Sequence, residues 1–212
     1  MEKKFLVCVL GIMAVGFIAV SPVLAAISGS AHDFSGDSWS GAQTCGICHT
    51  PHSSSSTIAP LWNHTLSSAT YTIYSSPSLN ASVGQPSASS KACLSCHDGT
   101  VALDSLGGGT SGTTFVAGAD NLGTNISNDH PVSFAYSAAL ATADGELFDP
   151  TVKTVGALAG KTIHDGLLFN GNLECGSCHD VHAGKGDAGV SGNHLLIVNN
   201  AGSALCLTCH NK

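Results

Sequence analysis

The one sustained apolar stretch of the 212-residue chain comes at its start. Met1-Glu2-Lys3-Lys4 leads into an uncharged, mostly apolar run from Phe5 to Val20. Ser21-Pro22-Val23-Leu24-Ala25-Ala26 then offers small residues at the spacing a signal peptidase uses. The run is shorter than the roughly 20 residues a membrane-spanning helix needs, and Pro22 interrupts it. Residues 1–25 therefore read as a secretory leader. Cys8 lies inside that leader, away from the cleavage point, and gives no lipid anchor. No later segment is apolar and long enough to cross a bilayer, so no membrane span is expected once the leader is removed. From 26 to 212 the chain is rich in Gly, Ser, Ala, Thr and Asn and poor in aromatics and long aliphatics. Its length suits one domain, yet it has little from which to build an ordinary core. The pattern predicts mostly coil, with short helices at four cysteine motifs and few strands.

Charge narrows the picture. Seven lysines face 14 acidic residues and there is no arginine, for a formal net charge of −7. Such a chain is a poor binder of nucleic acid.

The cysteines change it. Beyond the leader every cysteine belongs to a C-x-x-C pair, and every pair is followed by His. The motifs are Cys45-Gly-Ile-Cys48-His49, Cys93-Leu-Ser-Cys96-His97, Cys175-Gly-Ser-Cys178-His179 and Cys206-Leu-Thr-Cys209-His210. This is the attachment signature of c-type haem. Two thiols three positions apart reach the two vinyl groups along one porphyrin edge, and the next residue lies under the ring with its imidazole toward iron. A zinc ribbon needs no His after each pair, and a thioredoxin-like site uses one pair. Four covalently bound haems c are therefore expected, with His49, His97, His179 and His210 as proximal ligands. Macrocycles then supply the interior that the polypeptide lacks, and the haem-free chain is expected to be unfolded.

The sixth position of each iron comes next. Methionine raises the potential of electron-carrying haems, but Met1 and Met13 both fall in the leader. Seven further histidines remain, at 32, 52, 64, 130, 164, 182 and 194. Bis-histidine ligation throughout is thus available. His52, His182, His130, His64 and His32 are the distal candidates, with His164 and His194 read as surface or structural residues. His52 and His182 each follow a motif as C-x-x-C-H-x-x-H. Three residues span at most roughly 10 Å, too short for the path of about 15 Å around a porphyrin rim. Each second histidine must therefore serve a different haem from the first, so the motif is a clamp that holds two haems close. The order clamp, plain, clamp, plain exposes an internal repeat: two dihaem modules, about 32–104 and 174–212, joined by a long connecting region.

Ala31-His32-Asp33-Phe34, the C-x-x-C-H-T-P-H run, Pro60-Leu61-Trp62-Asn63-His64, Cys96-His97-Asp98-Gly99-Thr100 and Asn128-Asp129-His130-Pro131-Val132 together resemble a known group. They are similar to exported multihaem c-type cytochromes of metal-respiring bacteria, in particular the tetrahaem, filament-forming outer-surface (OmcE-like) nanowire cytochromes. The C-terminal run from Asn200 to His210 fits as well. The resemblance covers most of the chain beyond the leader. It implies bis-His haems in a continuous line, little regular structure, and subunits that polymerise into conductive extracellular filaments, a histidine of one completing a haem of the next. His52 is the residue expected to cross that interface. Two features depart from the group: the second clamp reads H-D-V-H where proline is more usual before the last His, and no arginine is present to face the haem propionates.

The expected function is electron transfer between redox partner proteins or extracellular acceptors, without substrate chemistry. The expected location is extracellular or the outer cell surface, with the periplasm as the alternative. A monomeric periplasmic tetrahaem shuttle is the competing reading. A multihaem redox enzyme is a third, and would need an iron with an open position.

Overall fold

The computed structural model describes residues 27–55, 58, 60–182 and 195–212. The leader, with Cys8, and His194 lie outside the described residues.

Short polar side chains set the local structure. Asp, Asn, Ser and Thr repeatedly accept a bond from the amide two residues on, a turn that competes with helix and strand. Asp33 takes the Ser35 amide at 3.2 Å, Asp98 that of Thr100 at 2.7 Å and Asp149 that of Thr151 at 2.9 Å. Coil consequently dominates. Among the described residues four short α-helices and one two-stranded sheet punctuate it: α1 Ala88–His97, α2 Ala138–Asp144, α3 Ile163–Gly166 and α4 Cys206–Cys209, with β1 Phe134–Ala135 and β2 Asn172–Leu173. β1 and β2 pair antiparallel, Phe134 opposite Leu173 and Ala135 opposite Asn172.

Side chains cap the starts of α2 and α3. Ser137 accepts the Leu140 amide at the start of α2, and Gly145 ends the helix at φ 77°. Only glycine takes that backbone without strain. Thr162 accepts the Asp165 amide to open α3.

Three of the four motifs carry the helix that their sequence predicts. Motif 2 ends α1, motif 3 forms a 3-10 turn at Cys175–Ser177, and motif 4 is α4. Motif 1 differs: it is a turn, with no assigned helix. Gly41 and Ala42 before it sit at φ 62° and 59°, and Gly202 and Ser203 stand at the same offsets before motif 4, each at φ 62°, so the left-handed approach is shared and does not set the difference.

The connecting region is more regular than its composition implies. Phe134, Tyr136, Ala141, Val155, Ile163, Leu167, Leu173 and Val198 form a buried apolar cluster. A smaller one joins Tyr71, Leu94 and Ile126. The polypeptide thus brings its own small core, beside whatever interior the haems provide.

The two clamp motifs share a construction. After motif 1 the Thr50 amide bonds the Leu61 carbonyl at 2.9 Å, and the Asn63 amide bonds the Cys48 carbonyl at 3.0 Å. After motif 3 the Asp180 amide bonds the Leu195 carbonyl at 2.8 Å, and the Ile197 amide bonds the Cys178 carbonyl at 2.9 Å. Leu61 and Leu195 have the same left-handed backbone, φ 55° and 54°. That conformation is strained for a branched side chain. It recurs because both return strands are pinned on either side by these bonds. The internal repeat read from the motif order therefore extends into backbone geometry.

Candidate haem sites

In each motif a single helical turn brings the chemistry to one side. The amide of His49, His179 or His210 bonds the carbonyl of the first cysteine of its motif, at 2.9, 3.0 and 3.0 Å. Motif 2 gains the same turn from α1. Residues i, i+3 and i+4 then share a face, so two thiols and an imidazole point the same way.

All eight described cysteines are free thiols, with Cys45 and Cys206 exposed. Burial raises the pKa of the second cysteine of each motif. Cys48 is raised, Cys96 is pushed up to about 12, Cys178 to about 11 and Cys209 to about 12, in each case first by burial and then by neighbouring groups. Those neighbours trace how the motifs approach one another. Cys96 feels Cys48, Cys178 feels Cys206, and Cys209 feels Cys178. A hydrogen bond between the Cys93 and Cys175 thiols lowers Cys175 to about 7 and raises Cys93 well above its usual range.

Three pairs of imidazoles meet across the fold. The ring centroids of His32 and His97 lie 5.9 Å apart, those of His49 and His182 also 5.9 Å, and those of His130 and His210 6.4 Å. Two imidazoles on opposite sides of one metal, each with a bond of roughly 2 Å, put their centroids about 6 Å apart. Aromatic rings in ordinary contact cover the same range, so distance alone decides little. The composition of the pairs is informative. Each joins one motif histidine to one of the five distal candidates.

Ring orientation is fixed from behind. Nδ1 of His49, His97 and His130 lies 2.8, 2.8 and 2.9 Å from the carbonyls of Pro60, Asp120 and Pro131. An Nδ1–H donated to a carbonyl leaves Nε2 with a free lone pair, the arrangement of metal-bound histidines. His32 is half-buried, and desolvation, then His97 and His179, lower its pKa. His210 is lowered by burial and by His130. Neutral imidazole is the ligating form. His32 Nδ1 is buried with no hydrogen-bond partner among the described residues, a loss of about 1–3 kcal/mol unless something satisfies it. These residues fit haem.

The clamp geometry also has a local cause. The Asp180 carboxylate accepts the His182 amide at 2.9 Å, and in motif 1 Thr50 Oγ1 receives the His52 amide at 3.4 Å and donates to its carbonyl at 2.8 Å. His182 thereby turns away from His179 toward His49. His52 is exposed. His64 is 2% exposed, with Nδ1 3.1 Å from the Ser105 carbonyl and its ring against Trp62. Burial lowers its pKa against the opposing pull of the Ser105 and Ile47 carbonyls. Neither His52 nor His64 meets another imidazole among the described residues. His164 is exposed and pairs with Asp165 at 3.0 Å.

Sequence reasoning missed the orienting carbonyls, which any residue type can supply. It also missed Glu174, a carboxylate buried beside motif 3. Among the described residues no three His, Cys, Asp or Glu side chains gather as a metal cluster. Tetrahedral zinc sites would need such a cluster, whereas a haem takes only two axial ligands from the chain.

Residues 169–212 match the family model of the doubled CXXCH motif. Among curated proteins none matches the chain. That doubled motif spans motifs 3 and 4 and is the attachment signature of covalently bound haem c.

Proposed function

We propose that the chain carries four haems c, each held between two histidines, and relays electrons along them outside the cytoplasm. The observation that carries this reading is the set of three imidazole pairs, each joining a motif histidine to a distant one. On this reading His182 serves the iron of motif 1, His32 that of motif 2 and His130 that of motif 4. Haem supplies the one-electron couple. The chain fixes the planes of the paired imidazoles, so little rearranges when an electron arrives.

The same reading extends to assembly. His182 of the second clamp reaches back to the first clamp motif. The first clamp has the same backbone construction, and its His52 faces outward. By that repeat, His52 reaches a haem of a neighbouring copy, and copies join head to tail into an extracellular filament. Resemblance to filament-forming cytochromes points the same way. The electrons leave to a redox partner protein or an extracellular acceptor. Electron microscopy of exported material tests this: His52→Ala should keep its covalent haem and lose long fibres. Long fibres in that variant would remove His52 from the interface, and a wild-type monomer with every iron saturated would favour the periplasmic shuttle.

A further inference from the structure

Glu174 is 1% exposed and forms no ion pair among the described residues. Its carboxylate accepts from the Ser90 hydroxyl, from the Ser133 hydroxyl at 2.8 Å and from the Ser177 backbone amide. Its own amide donates to Ser177 Oγ at 2.9 Å. Ser90, itself fully buried, also accepts the Cys175 amide at 2.9 Å. Every group aimed at the carboxylate is a donor, the shell that an acceptor-only side chain takes. All of them are neutral. Burying an ion without a counter-charge is costly, and a glutamine of the same shape would avoid that cost.

The position of this charge indicates its use. Glu174 directly precedes Cys175, and Ser90 lies one helical turn before Cys93 on α1. Cys93 and Cys175 touch, and Cys175 feels the Glu174 charge. The carboxylate thus sits where the attachment edges of motifs 2 and 3 converge. We infer that Glu174 sets the reduction potentials of the two haems on motifs 2 and 3, holding them below those on motifs 1 and 4. An uncompensated negative charge in a low-dielectric interior stabilises ferric iron over ferrous, which carries one positive charge less. The electron gained or lost comes from the neighbouring haem, so no further reactant is involved. Glu174 acts here as a tuning group and touches no reacting atom.

The inference rests on the haem reading, which a haem count on the wild-type chain tests separately. The experiment is a redox titration of the holoprotein followed in its optical spectrum. In Glu174→Gln, which keeps shape and most hydrogen bonds, two of the four one-electron steps should move to higher potential while two stay. A shift of about 59 mV per step corresponds to a tenfold change in the ferric-to-ferrous ratio. Ser133→Ala keeps the charge and loses one donor, and it should show no such rise. Four unmoved steps in a Glu174→Gln protein with full haem would overturn the inference, as would the same rise in Ser133→Ala. Haem loss in Glu174→Gln, with Ser133→Ala intact, would make the carboxylate an assembly element and overturn it too.

Discussion

A histidine becomes an iron ligand through what stands behind it. His49, His97 and His130 each face a backbone carbonyl through Nδ1, which commits the other nitrogen to the metal side. His182 gains its direction from the Asp180 turn instead. Its ring lies close to parallel with that of His49, at 23°. Replacing it should therefore affect one iron only. In His182→Ala we expect all haems attached and one of the four high-spin and able to bind carbon monoxide, read from the optical difference spectrum. No carbon monoxide binding in that variant would unseat His182 as the partner of His49.

At the scale of elements, the end of α1 is tied down by a buried carboxylate. Asp98 accepts from Tyr71 Oη at 2.6 Å, from Ser67 Oγ at 2.6 Å and from the amide and hydroxyl of Thr100 at 2.7 and 2.6 Å. Burial, then Asp98, pushes the Tyr71 phenol up to about 12. The folded state thus keeps a proton that the unfolded chain gives up near pH 10. The linked stability is fully present below pH 10 and is lost as pH rises toward 12. Tyr71→Phe should cost about 1–3 kcal/mol by leaving Asp98 a donor short, and should flatten that alkaline decline. Guanidinium unfolding followed by circular dichroism at several pH values measures both. Asp98 was visible in the sequence only as the residue after His97. Its partners at 67 and 71 come from a distant loop, and no local pattern announces them. The cysteine motifs were legible because covalent attachment dictates their spacing. The pairing of His32 with His97 was not, because it depends on where 64 intervening residues lead. Motif 1 looked like its fellows in sequence, yet it forms a turn with no assigned helix. The sheet and apolar cluster of 134–173 were equally hidden, since short, scattered apolar residues give no strong period.

Across the whole molecule, thiol neighbours link motif 1 to 2, 2 to 3 and 3 to 4, and His182 returns from motif 3 to motif 1. The four motifs thus follow one another without a gap, in a chain whose own apolar clusters are small. This continuity underlies the proposed relay, and it requires each of the four irons to be present and saturated. The most direct test is electron paramagnetic resonance of the oxidised, assembled, exported protein, integrated against its peptide concentration. The account predicts four low-spin ferric haems per chain and no high-spin signal. Fewer than four, or a substantial high-spin component, would contradict it.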